Sequence, residues 1–126
     1  VALCQAGVAA LSVHDLDRAR AERLVTTLRG AFPRVPARAG APELASAGLL
    51  VNATPIGMQD GDPLPWDLAG LRPGAIVGDV TTKPEVTPFV AAARARGAAT
   101  VTGRDMYEGQ VRELGAFFGY PFDETP

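Results

Sequence analysis

Short, uninterrupted apolar runs alternate with helix-period segments along this 126-residue chain, and that alternation constrains its fold more than any other feature. Leu49-Leu50-Val51 and Ala75-Ile76-Val77-Gly78-Asp79-Val80 have the continuous apolar character of strands buried on both faces. Leu11 to Asp15 is a shorter run ending in an acid, Val35 to Arg38 reads as another short strand, and Ala99 to Thr102 as the last. Helix signals lie between them. Asp17 is placed to cap a helix whose apolar Ala21, Leu24, Val25 and Leu28 fall at i, i+3, i+4 and i+7, closing near Gly30. Pro42 to Ala47 predicts a short helix. Thr87 as N-cap, Pro88 at the first helical position and Gly97 as the stop predict a helix over Pro88 to Arg96. Arg104 to Phe118 predicts a final helix with Val111, Leu114 and Phe118 on one face. Asp60 to Pro73, rich in Pro, Gly and Asp, predicts an irregular connection with a turn of helix at Trp66 to Leu68. Strands and helices alternating at this spacing make βαβ units, so the fold class is α/β, a doubly wound parallel sheet covered on both sides.

Composition removes several function classes. A length of 126 residues serves one domain and one core. No apolar run approaches the roughly 20 residues that cross a bilayer, so no membrane partner is expected. The net charge of -2, with arginines scattered along the chain, makes no electrostatic case for nucleic acid. A single cysteine, Cys4, and a single histidine, His14, form neither an internal disulfide nor a metal-ligand set, so no metal is expected and a reducing cytoplasm fits. His14 has no Ser or Cys partner at a nucleophile spacing.

In a doubly wound sheet, ligands lie beyond the carboxyl ends of the strands. The segments that end strands there are His14-Asp15, Asn52-Ala53-Thr54-Pro55, Asp79-Val80-Thr81-Thr82, and Gly103 before the last helix. Their small residues let backbone approach a flat cofactor. Any one of these loops alone reads as a tight turn; the alignment of four at one edge is what favours a site.

Asn52-Ala53-Thr54-Pro55-Ile56-Gly57-Met58, Gly78-Asp79-Val80, Lys83 through Phe89, and Gly103 through Met106 to Gln110 resemble, in order and spacing, the cofactor domain of the shikimate/quinate dehydrogenase family. Thr81-Thr82-Lys83-Pro84-Glu85 looks more like the shikimate-dehydrogenase-like paralogues. The resemblance implies a Rossmann-type sheet and an NAD(P)-dependent oxidoreductase. Its reaction moves hydride between nicotinamide and a cyclic 3-keto or 3-hydroxy acid, such as 3-dehydroshikimate and shikimate, in aromatic amino acid biosynthesis. The family's catalytic Lys and Asp lie in an N-terminal substrate domain, so no catalytic residue is expected in residues 1–126, a partial C-terminal NAD(P)-binding domain. Val1 to Val8 resembles the end of the helix that the family's glycine-rich phosphate loop opens, so that loop and the first strand are expected upstream. The first strand would lie between those ending at Asp15 and at Asn52, and a gap is expected there.

By the same resemblance, Asp15 reads the adenosine ribose, with Asp17 and Arg18 beside it. A carboxylate there accepts from a 2′-hydroxyl and repels a 2′-phosphate, so NAD is the expected cofactor. Arg18 beside it leaves NADP open, and a plain turn acid capping the next helix is the alternative to the ribose role of Asp15. The nicotinamide pocket maps onto Val80, Gly103 and Met106, with Asn52, Ala53, Thr54 and Pro55 along the cofactor. On composition alone Met106 reads as core. Gln110 follows Met106 by one turn and faces the substrate. Thr82 stands where shikimate-using members carry a Tyr, five residues before the helix-capping Thr87, so the substrate is bulkier or bound differently. A non-catalytic nucleotide-binding module of the same fold is the alternative. The expected partner is a small cyclic hydroxy acid, and the expected state a monomer or homodimer.

Overall fold

The computed structural model describes residues 1–120. The chain divides into two units, Val1–Glu43 and a second from Leu44 onward. In the first, a short helix α1 (Ala2–Gln5) precedes strand β1 (Leu11–Val13), helix α2 (Arg18–Ala31) and strand β2 (Ala37–Ala39). Strands β1 and β2 pair in parallel, Leu11 opposite Ala37 and Val13 opposite Ala39, which makes the unit one βαβ crossover. Asp17 caps α2 as expected, its side chain accepting from the Arg20 amide. The helix buries Val25 and Leu28 against Cys4 and Ala37, with Leu11, Val13, Phe32 and Val35 packed around them. Leu24, expected on that face, is 45% exposed. It lies one residue from Val25, about 100° around the helix, and a core this narrow admits only the Ala21–Val25–Leu28 line.

The second unit holds β3 (Leu49–Asn52), β4 (Ile76–Asp79), helix α3 (Pro88–Ala95), β5 (Ala99–Val101) and helix α4 (Gly103–Phe117). Its sheet is parallel in the order β3-β4-β5, with Leu50 beside Val77 and Val77 beside Thr100. Helix α3 starts on Thr87 and Pro88 as the sequence predicts, and Gly97, at φ +74°, ends it. The core is Leu68, Val77, Phe89 and Ala93, joined by Leu50, Trp66 and Leu71. Leu50, Asn52, Val77 and Asp79 therefore share the sheet face that α3 covers.

Three expectations fail here. Pro42 to Ala47 is not helical and forms only a turn at residues 44–46. Trp66 to Leu68 makes a bend without helical turns, Leu68 being drawn into the core by burial and not by helix period. Strand β3 is not buried on both faces: Leu49 and Val51 are 39% and 37% exposed, as is Ile76 at 41% beside them. Leu114 of α4 and Phe118, its C-cap, are exposed as well, since an apolar stripe is buried only where a neighbour meets it. Strands β1 and β3 belong to different sheets.

Candidate functional site

All three strands of the second unit run in parallel, so the turn after Asn52, the loop after Asp79 and the start of α4 leave the sheet at one rim. The Val80 amide donates to the Asn52 carbonyl at 3.1 Å, which seats the β4 loop against the β3 turn. A Cβ on Gly103 would fall on the Thr81 and Val80 carbonyls, so α4 begins against the same backbone. Glycine at 103 is thus required by the chain's own packing. Met106 reaches back from the first turn of α4, its Cε 3.1 Å from where a Gly78 Cβ would stand, beside Val51. Asn52, Val80, Gly103 and Met106 are brought together by these contacts. Ala53, Thr54, Pro55, Val80 and Thr82 are exposed along the rim, and Gln110 is exposed farther along α4.

A buried polar network lies beneath the rim. Asp79, fully buried, accepts at Oδ1 from Asn52 Nδ2 (3.2 Å) and from the Thr81 amide (3.0 Å), and at Oδ2 from the Thr87 hydroxyl (2.8 Å). Asn52 passes the order into its turn: Nδ2 also donates to the Ile56 carbonyl, and Oδ1 accepts from the amide and hydroxyl of Thr54. The Thr81 hydroxyl is buried without a hydrogen-bond partner. Asp79 and Thr81 lie in a strand-end segment expected at the rim and Thr87 is the expected cap, but none was given a role of its own; an acid inside an apolar run, eight residues before a helix-capping Thr, is the signal that marks their network.

Thr102 caps α4 through a capping box, its hydroxyl accepting from the Asp105 amide while Asp105 accepts from the Thr102 amide at 2.8 Å. The Thr-x-x-Asp spacing signals this, and it moves the helix start to Gly103 from the expected Arg104. Bonds from the Thr102 amide and hydroxyl hold the Asp105 carboxyl below its ordinary pKa. Arg104 bonds Glu108 at 2.8 Å and Glu85 at 3.1 Å, tying the loop before α3 to α4; those carboxylates, Glu108 foremost, push its guanidinium pKa further up.

In the first unit, Asp15 follows β1 at the corresponding strand end. Its Oδ1 accepts from the Asp17 amide at 2.8 Å, and Oδ2 lies 3.8 Å from Arg20. Asp15 therefore serves as a turn acid in front of α2, with part of its charge offset. Arg18 is turned to solvent on Glu22, and Asp17 is engaged by the α2 cap and by Arg23 at 4.0 Å.

The chemistry of the second-unit rim fits the nicotinamide end of a dinucleotide: apolar Val80 and Met106 stand beside exposed small residues with backbone polar groups, as a flat ring with an amide edge requires. Among the described residues no group of three or more His, Cys, Asp or Glu is placed to hold a metal. No helix among them is long and apolar enough to cross a membrane.

No protein-family model matches the chain. The shikimate dehydrogenase (NADP(+)) of Rhodospirillum rubrum is 42% identical over 123 residues, a match covering 93% of this chain and 43% of that protein. The solved quinate dehydrogenase from Corynebacterium glutamicum in complex with NAD has a TM-score of 0.81 at 35% identity, covering 94% of this chain and 44% of that one. The ligand-free 5-ketofructose reductase of Gluconobacter sp. strain CHM43 has a TM-score of 0.86 at 25% identity, covering 97% of this chain and 46% of that one. The chain spans less than half the length of these relatives.

Proposed function

This chain is related over nearly all of its length to the C-terminal, cofactor-binding half of the shikimate/quinate dehydrogenase family, and on that premise we propose that it holds the dinucleotide of an NAD-dependent dehydrogenase. The observation that carries the reading is the convergence of the Asn52–Pro55 turn, Val80 and Gly103 at one rim, with Met106 reaching to it. Val80 and Met106 supply the apolar wall for the nicotinamide ring, and Asn52, Ala53, Thr54 and Pro55 line its approach. Asp15 accepts from the ribose hydroxyls and disfavours a 2′-phosphate, which selects NAD; Asp17 and Arg18 flank it. When bound, the cofactor gives or takes a hydride; the chain's own residues bind and orient it.

Thr82 and Gln110 face the substrate, a cyclic 3-hydroxy or 3-keto acid of the shikimate or quinate kind. The proton-handling Lys and Asp belong to the remainder of the enzyme, which works in the cytoplasm as a monomer or homodimer. The likeness to a 5-ketofructose reductase, together with Thr82 in place of a bulkier Tyr, supports a second reading in which the substrate is a ketose.

Steady-state rates of the full-length protein with NAD and NADP against shikimate, quinate and 5-ketofructose test this. NAD-dependent turnover of shikimate or quinate is expected. Dinucleotide binding without turnover of any of the three would leave only a binding module, and no binding of either dinucleotide would end the reading altogether.

A further inference from the structure

A carboxylate buried as completely as Asp79 is costly to hold, and an apolar residue of its size would ordinarily serve a core as well or better. Its partners are all neutral donors, and they come from three different segments: Asn52 at the end of β3, the Thr81 amide after β4, and the Thr87 hydroxyl at the start of α3. A fully satisfied buried network favours a single arrangement of what it joins.

The segment being arranged is the turn after β3. From Asp79 the bonds run through Asn52 to the Ile56 carbonyl and to Thr54, whose hydroxyl in turn accepts from the Ile56 amide at 3.2 Å. The turn then closes over Thr87: Gly57, at φ +102°, lies so near that a Cβ there would stand 3.6 Å from the Thr87 Cβ. Thr87 thus does three things at once. It donates to Asp79, accepts from the Val90 amide as the cap of α3, and forms the floor of the turn.

We infer that Asp79 and Thr87 are positioning residues that hold the 52–57 turn in its ligand-receiving shape without touching the ligand themselves. The inference rests on the cofactor reading above only in naming the dinucleotide as that ligand. A residue that merely stabilised the fold would lower the unfolding midpoint and leave the turn's local order and the affinity of the folded protein unchanged.

The test compares Thr87→Val, Thr87→Ser and Asp79→Asn in the full-length protein, reading NADH affinity by fluorescence and amide exchange at Thr54 and Ile56. Thr87→Val removes the donor to Asp79 at nearly constant volume, and the Kd for NADH is expected to rise about tenfold, the factor that corresponds to one such bond. Thr87→Ser keeps the hydroxyl and is expected to stay within about twofold of wild type. Asp79→Asn, which keeps the shape of the side chain and the Thr87 cap, is expected to weaken binding and to speed exchange at Thr54 and Ile56; it decides the matter if Thr87→Val does not fold. Unchanged Kd in Thr87→Val and Asp79→Asn, equal loss in Thr87→Ser and Thr87→Val, or unmoved exchange at Thr54 and Ile56 would each overturn the inference. Should the wild type bind no NADH, the cofactor reading falls, and exchange at those two amides still decides whether the network positions the turn.

Discussion

Gly103→Ala is the sharpest single perturbation of the rim. Gly103 is buried, and an added Cβ would meet the Thr81 carbonyl oxygen and carbon and the Val80 carbonyl oxygen inside any normal contact distance. All of these are backbone atoms, so no flexible side chain can yield; relief requires moving the start of α4 away from the end of β4. Overpacking of this kind costs about 1–3 kcal/mol, and rigid backbone neighbours place it at the upper end. Against this, Ala gains up to about 1 kcal/mol over Gly in helix propensity, so the net destabilisation is about 2 kcal/mol. With a urea slope of about 1–3 kcal/mol/M, the unfolding midpoint should drop by about 1 M. Gly109→Ala in the same helix is the control, because nothing lies within 4 Å of its added Cβ. It shares the propensity gain without the clash and should be neutral or raise the midpoint. Urea unfolding of both variants, followed by circular dichroism, makes the comparison. If Gly103→Ala is as stable as Gly109→Ala, the close approach of α4 to the Val80–Thr81 backbone is not what glycine serves at that position.

Thr81→Val replaces the orphaned buried hydroxyl with a methyl and leaves the Thr81 amide on Asp79, so it should raise stability by about 1 kcal/mol in thermal unfolding; a loss would mean the hydroxyl has a partner in solution. Asp15→Ala should erase the preference for NAD over NADP in steady-state rates while moving the unfolding midpoint little, since its bond to the Asp17 amide is exposed; an intact preference would remove Asp15 from cofactor choice. The Asp105 carboxyl, held down by the Thr102 amide and hydroxyl, should titrate below the ordinary Asp value of about 3.9 by carboxyl NMR. Its support of α4 is then fully present above that value and lost as pH falls through the lower folded one; a midpoint at or above 3.9 would contradict the capping box. Arg104→Ala breaks two exposed ion pairs and should change stability by less than about 1 kcal/mol, with a smaller effect still at high salt; a larger loss would show that the link from Glu85 to α4 is more than a surface contact.

What could be read in advance differs by residue for identifiable reasons. Asp17 and Thr87 were legible as caps because a cap is a bond across three residues and needs only local sequence. Strands β3 and β4 were legible as apolar runs, but their exposure was not: Val51 and Ile76 carry the same pattern whether or not a neighbour covers them. The Pro42 to Ala47 segment has helix-compatible composition, but a helix of that length is too short to persist alone, and the Leu44 carbonyl accepts from the distant Arg72 amide at 3.0 Å instead. Met106 was placed at the rim by resemblance, whereas the reason it lies there, the missing side chain of Gly78 beneath it, belongs to two elements distant in sequence.

The amino-acid sequence by itself determined the alternation of strands and helices and the caps that start α2 and α3, since each follows from periodicity or from bonds between near neighbours. Only the tertiary structure decided that Asn52 meets Asp79 across 27 residues, that Thr87 forms the floor of the turn, and that Gly103 has no room for a side chain. Those depend on which strand lies beside which, and adjacency in a parallel sheet is set by crossover connections that no local pattern records.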